Sequence, residues 1–196
     1  MPYNINKISA IIFNRRSSKN YLSHKLIPQE DLLSFFEAAR WAPSASNRQP
    51  WRYIVFSEEN PEAIASMRAC LTEANQYWAS SAPVLILCCA LLEDENGREI
   101  RTALHDLGLA NENLLLQIRS LGYNCRPMGG FDKELAKQLF NLPEHFQPVL
   151  TIAAGYPGKM NTLPVDIQES EKEPRTRNPI STWVHIDHWG NPFLNS

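Results

Sequence analysis

The chain has 196 residues, 43% of them hydrophobic and 20% charged, with a formal net charge of −2. That length suits one well-cored domain and is short for two, and the charge balance leaves no basic excess to neutralise a nucleic-acid backbone. The longest apolar run, Ala82 to Leu92, is about half the ~20 residues a membrane span needs, so neither nucleic acid nor membrane is an expected partner.

The opening Met1-Pro2-Tyr3-Asn4 lacks the charged-then-apolar layout of a secretory signal, and a soluble cytoplasmic protein is expected. Ile5, Ile8, Ile11 and Ile12 recur at helical spacing, predicting a short amphipathic helix over about 4–14. It stops at the polar stretch Arg15-Arg16-Ser17-Ser18. Pro28 suits the first turn of a second helix, with Glu30 and Asp31 at its positive end. The apolar stripe of that helix is Leu32, Phe35, Phe36 and Ala39, and it should end before Pro43.

Pro43 to Pro50 reads as a loop, and Trp51 to Ser57 as a strand. Residues 61–80 are predicted helical with a break near Thr72, and Pro83 to Leu91 as a strand covered on both faces. Cys88 and Cys89 on it would face opposite sides. With no CxxC pair, the four cysteines (Cys70, Cys88, Cys89, Cys125) read as buried thiols. From Arg98 to Leu121, apolar positions at Ile100, Leu104, Leu107, Leu114, Ile118 and Leu121 predict a long helix that Gly122 ends. A short strand over 123–126, a helix capped by Asp132 and a strand over 149–154 complete the body. Residues 160–179 show no period and read as an irregular arm. The whole is one domain, 1–196, with 160–196 as a C-terminal extension.

Several segments carry candidate chemistry. Arg15-Arg16-Ser17-Ser18-Lys19 sets three cations and two hydroxyls in five residues, a set that matches phosphate oxygens as readily as it serves a solvated helix end. Ser44, Ser46, Asn47 and Gln49 crowd one loop, where amide side chains suit either turn chemistry or the edge of a heterocycle. In Pro127-Met128-Gly129-Gly130 the glycines allow close backbone approach to a ligand or a tight turn. Gly155-Tyr156-Pro157-Gly158-Lys159 departs from the phosphate-loop pattern and reads as a turn, and no GxGxxG announces a nicotinamide-binding Rossmann unit. His185 and His188 flank Asp187, but tryptophans on either side favour aromatic packing over metal. No GxSxG or Cys-His-Asn pattern supports acyl transfer.

In order, Arg15-Arg16-Ser17-x-Lys19-x-Tyr21 and Ala38-Ala39-Arg40-Trp41-Ala42-Pro43-Ser44-x-x-Asn47-x-Gln49-Pro50-Trp51 resemble the opening of the nitroreductase-like FMN flavoproteins. Ala82-Pro83-Val84-Leu85-Ile86, Pro127-Met128-Gly129-Gly130-Phe131 and Gly155-Tyr156-Pro157 extend the likeness. It implies an α+β fold with a central, mostly antiparallel sheet flanked by helices, in an intertwined homodimer with two FMN sites. On that pattern Arg15 and Ser17 hold the phosphate and ribityl chain, Arg16 lies by backbone near the ring, and Lys19 stands at the pyrimidine edge, where arginine is common. The partner subunit would contribute Pro43, Ser44, Ala45, Ser46, Asn47 and Gln49. Asn75 or Gln76 matches a ring contact. Pro127, Met128, Gly129 and Gly130 match the segment facing flavin N5, and Arg175 and Arg177 a late basic pair on the phosphate.

The resemblance implies an oxidoreductase that carries electrons from NAD(P)H through FMN to a small electron-poor acceptor, nitroaromatic or quinone, in ping-pong order. A specialised flavin dehydrogenase, a reductive dehalogenase, and a non-catalytic flavin carrier or redox sensor are the alternatives. No metal is expected, and the flavin would carry the chemistry without a dedicated catalytic side chain.

Overall fold

The computed structural model describes residues 7–193. Its centre is a four-stranded antiparallel sheet of β1 (Trp51–Ser57), β2 (Val84–Leu91), β3 (Asn124–Met128) and β4 (Phe146–Gly155), in the order β1-β2-β4-β3. Among the described residues seven α-helices accompany it: α1 (Ala10–Asn14), α2 (Gln29–Arg40), α3 (Pro61–Cys70), α4 (Glu73–Ala79), α5 (Ala103–Ser120), α6 (Lys133–Leu139) and α7 (Val165–Lys172). The α+β fold with a central antiparallel sheet is as expected. A single parallel bridge, Ser17 to Cys125, adds the N-terminal segment to the outer edge of β3.

β2 organises the interior because it is apolar on both faces. Val84, Ile86, Cys88 and Ala90 pack toward α2 and α5. Leu85, Leu87 and Cys89 pack toward α3, α4 and α6. Each fully buried Leu or Ile contributes roughly 1.5–3 kcal/mol relative to exposure, so this strand pins two layers of helix at once. Cys88 and Cys89 do face opposite sides, and all four thiols are free and buried.

The local signals account for most boundaries. Asn60 accepts from the Ala63 N–H and caps α3, and Asp132 accepts from the Leu135 N–H and caps α6. The break between α3 and α4 falls at Thr72, whose N–H turns to the Gly130 carbonyl. Gly122, at φ +85°, ends the turn after α5.

Five expectations change. The structure describes α1 as Ala10–Asn14, with none of its residues buried and Ile12 half exposed; residues 4–6 of the predicted helix lie outside the described residues. The long helix starts at Ala103, not Arg98. Asp94 accepts from the N–H groups of Asn96 and Arg98 in a turn through Gly97, and the Ile100 N–H pairs with the Leu92 carbonyl. Its inner stripe is Ala103, Asp106, Leu107, Ala110, Asn111, Leu114, Leu115 and Ile118, while Leu104 is 51% exposed and Leu121 is also exposed. Finally, β3 runs on to Met128, and residues 160–179 contain α7, whose Ile167 is buried against the body. A polar helix with one apolar anchor escapes a periodicity reading.

Candidate cofactor site

The Arg15–Lys19 segment crosses the edge of β3 and is tied there from several sides. Arg126 donates to the Ser17 carbonyl at 2.7 Å, and Asn124 donates to the Ser18 hydroxyl at 3.1 Å. From the other side the chain following α7 reaches back. Arg16 donates to the Glu173 carbonyl at 2.8 Å, and Arg175 donates to the carbonyls of Phe13 and Arg15. Residues 160 apart in sequence thus form one cluster, which brings together Arg15, Arg16, Ser17, Arg175 and Arg177, with Lys19 following on the same segment.

The electrostatics of the cluster are unusual for a structural one. Desolvation, followed by repulsion from Arg177, Arg15 and Arg16, holds the Arg175 guanidinium below its ordinary value. Among the described residues none of these four arginines makes a salt bridge to a carboxylate. Their donors go instead to backbone carbonyls and, from Arg15, to the Ser17 hydroxyl at 3.4 Å. Like charges held together without a salt-bridged carboxylate are stabilised by an anion.

From this cluster β3 leads toward the Gly129-Gly130 turn. Arg126 lies over the Trp78 ring of α4 at 5.1 Å, and Met128 follows two residues, ~6.6 Å, along the same face. At the far end Asn75, also on α4, donates to the Gly130 carbonyl at 2.9 Å. A Cβ on Gly130 would stand 2.8 Å from Asn75 Nδ2, so a larger residue there must displace the Asn75 side chain. Gln76 is directed elsewhere, donating to the Leu71 carbonyl at 2.7 Å. Of the two candidates, Asn75 is the one brought to the glycine turn. Pro127 lies inside β3, and Gly129 is exposed beyond it.

The Pro43–Gln49 segment lies apart from this surface. Ser46, Asn47 and Gln49 all have positive φ, of 54°, 55° and 48°, a region that costs most non-glycine residues about 1 kcal/mol or more. What holds it is Asp106, 2% exposed on the first turn of α5. Its Oδ2 accepts from the Ser44 hydroxyl at 3.0 Å and the Ala45 N–H at 2.9 Å. Burial pushes the Asp106 carboxyl up, but the Ala45 N–H, the Ser44 hydroxyl and His105 outweigh it and hold the group below its ordinary value. Ser17, by contrast, bridges to Cys125, whose thiol donates to the Leu115 carbonyl. Asp106 and Leu115 are nine residues apart on α5, ~13 Å along its axis. Among the described residues no hydrogen bond joins 43–49 to the arginine cluster.

Other features resolve as structural. Gly155 and Gly158 are where the chain packs closely: a Cβ at either would meet Pro83 or Asn20 within 2.6 Å, and the Tyr156 carbonyl accepts from the Leu22 N–H. His185 packs on Trp189 with ring centroids 4.4 Å apart, in a tight hairpin. The sequence reading missed Asp106, Arg126 and Glu171. Asp106 left one trace, an acid falling within the helical rhythm of buried positions.

Comparison with known proteins places this arrangement. The model of the nitroreductase family matches residues 12–156. A Bacillus subtilis protein bearing the name NAD(P)H nitroreductase YdgI is 28% identical over 186 residues, covering 76% of this chain and 88% of its own length. A Methanothermobacter thermautotrophicus protein named for NADH dehydrogenase and NAD(P)H nitroreductase is 32% identical over 156 residues, 76% of each chain. A crystal structure described as an oxidoreductase containing FMN superposes with a TM-score of 0.87 at 28% identity, over 97% of this chain and 96% of that one. Sequence, fold and neighbours agree, and the chain belongs to the nitroreductase family.

Proposed function

We propose that this nitroreductase-family oxidoreductase binds FMN along the surface from the arginine cluster to the Gly129-Gly130 turn, and passes electrons from NAD(P)H to a small electron-poor acceptor. The observation that carries the reading is the cluster of Arg15, Arg16, Arg175 and Arg177 without a carboxylate partner among the described residues. A phosphate dianion fits it in charge and in fork geometry. FMN, when bound, supplies the reversible redox chemistry.

The chain's own part is binding and tuning. Arg15, Arg175 and Arg177 hold the phosphate, with the Ser17 hydroxyl as a neutral donor and Arg16 fixed by its bond to the Glu173 carbonyl. Lys19 adds a cation at the pyrimidine edge, which favours the charged, reduced cofactor. Asn75 orients the glycine turn, whose N–H groups have no intrachain acceptor among the described residues and face the ring. NAD(P)H and acceptor use one cleft in turn, which gives ping-pong kinetics; nitroaromatics and quinones are the acceptor class.

We place the Pro43–Gln49 loop in the site of a second copy. Its ~13 Å offset along α5 supports this, as does apolar surface that one chain leaves uncovered. Ile8, Ile12 and Phe13 are exposed around α1, Leu104 on α5, and Trp183, Trp189 and Phe193 on the tail, Trp189 at 86%. Hydrogen bonds of residues 179–193, among those described, end within 178–193. The tail therefore suits a role wrapped on a homodimer partner. A single domain carrying that extension is the organisation we infer.

An anaerobic titration tests the reading. Protein loaded with FMN should be yellow and should bleach with NADH or NADPH, then recolour on adding a quinone. Protein that takes up no FMN overturns the proposal. Yellow protein that neither nicotinamide bleaches turns it toward a flavin carrier or a specialised flavin enzyme. A monomer at micromolar concentration that retains FMN would sink the shared site.

A further inference from the structure

We infer that Glu171 is a positioning residue for the cofactor segment: its carboxylate, not the ligand, shapes the backbone at Ser18 and Lys19. The inference rests on the proposed phosphate site. Both carboxylate oxygens of Glu171 are used. Oε2 accepts from the Ser18 hydroxyl at 2.7 Å, and Oε1 accepts from the Lys19 N–H at 2.8 Å.

The two serines of the motif are thereby separated in role. Ser18 is 5% exposed; its hydroxyl donates to Glu171 and accepts from the Asn20 N–H and from Asn124, at 3.1 Å each. No donor capacity remains for a ligand. Ser17 accepts from Arg15 at its hydroxyl and from Arg126 at its carbonyl, and keeps its hydroxyl proton available to donate. Glu171 sits on α7, two residues before the Glu173 carbonyl that receives Arg16 and four before Arg175. The carboxylate therefore latches the start of the C-terminal extension onto the segment that carries Arg15, Ser17 and Lys19. This places Arg175 and Arg177 beside Arg15.

The sign of one measurement separates this role from a purely electrostatic one. A carboxylate among cations weakens the binding of an anion, so its loss by charge alone would tighten FMN. Loss of the latch would weaken FMN, by roughly 10- to 100-fold for two hydrogen bonds to a charged acceptor. Riboflavin, which lacks the phosphate, provides the control. The experiment measures FMN and riboflavin dissociation constants for the full chain, for Glu171→Ala, for Glu171→Gln and for Ser18→Ala.

We expect Glu171→Ala to weaken FMN roughly fivefold or more beyond its effect on riboflavin, which shares only the ring-edge contact of Lys19, and Glu171→Gln, which keeps an acceptor for the Lys19 N–H, to fall between. Ser18→Ala should show the same selective loss, smaller, and it carries the test if Glu171→Ala does not fold. Tighter FMN binding in either Glu171 variant overturns the inference, and so does an equal loss for both flavins. A wild-type chain that binds riboflavin and FMN equally would refute the phosphate site itself, an outcome distinct from either.

Discussion

The two segments that the family pattern singles out are held in opposite ways. The Arg15–Lys19 segment is fastened by distant parts of the chain, Arg126 and Asn124 on β3 and Glu171, Glu173 and Arg175 after β4. Its own cationic charge is left over. The Pro43–Gln49 loop is fastened by Asp106 at its start and by Arg52 at the Gln49 carbonyl, and much of its polar capacity is spent internally: the Gln49 N–H donates to Ser44, and the Gln49 side chain donates to Asn47. The first behaves as a charged receptor surface, the second as a preformed, strained shape. The difference predicts that the first fails through ligand affinity and the second through local stability.

Arg15→Ala should give the largest effect, a loss of roughly 10- to 100-fold in FMN affinity with little change in unfolding midpoint. Fluorescence titration against thermal melting would check it. Unchanged affinity would remove the phosphate role.

Asp106→Ala should reverse the pattern. It leaves the Ser44 hydroxyl and the Ala45 N–H without their acceptor and should cost about 2 kcal/mol in denaturant unfolding. The pH dependence has a definite sign. Because the folded-state carboxyl is held low, this contribution is complete above the ordinary carboxylate value near ~3.9. It is lost as pH falls through the lower folded value. Wild type and variant should therefore converge in stability under strong acid; a constant gap would break the assignment.

Gly130→Ala tests the far end of the receptor surface. The added Cβ meets Asn75 Nδ2 at 2.8 Å, and forcing the turn apart should cost about 1 kcal/mol. Its melting temperature should fall by a few degrees. A variant as stable as wild type would show the turn to be adaptable, not templated by α4.

The smallest effect expected is on the sheet. Burial pushes the Cys89 thiol up to about 11 and the Cys125 thiol up to about 12, the latter against the pull of Arg15 and Arg119. Neither should react with iodoacetamide at pH 8 in any of these variants until global unfolding. Early labelling would mean that disturbing a segment opens the core.

Much of the architecture was legible because its causes are local. The strand reading over Trp51–Ser57 matches β1, that of β2 is within one residue, the break falls at Thr72, and the cap at Asp132 follows from short-range chemistry. The misreadings share another cause. Leu104 belonged to the apolar rhythm yet faces outward, whereas Asp106 and Asn111 occupy inner positions because Ser44, Ala45 and Tyr53 meet them there. A polar residue's place depends on partners that hydrophobic spacing does not report.

The candidate site divides along the same line. The order of residues alone placed the arginine-serine stretch, the asparagine-glutamine loop, the glycine turn and the late basic pair within one family pattern, because each is a short run with its own chemistry. Only the folded chain decided that Arg175 reaches Phe13 and Arg15, that Asn75 and not Gln76 meets Gly130, and that Glu171 and Asp106 act as the fasteners. Those decisions join residues up to 162 positions apart. Their energies exist only once the sheet has set the distances.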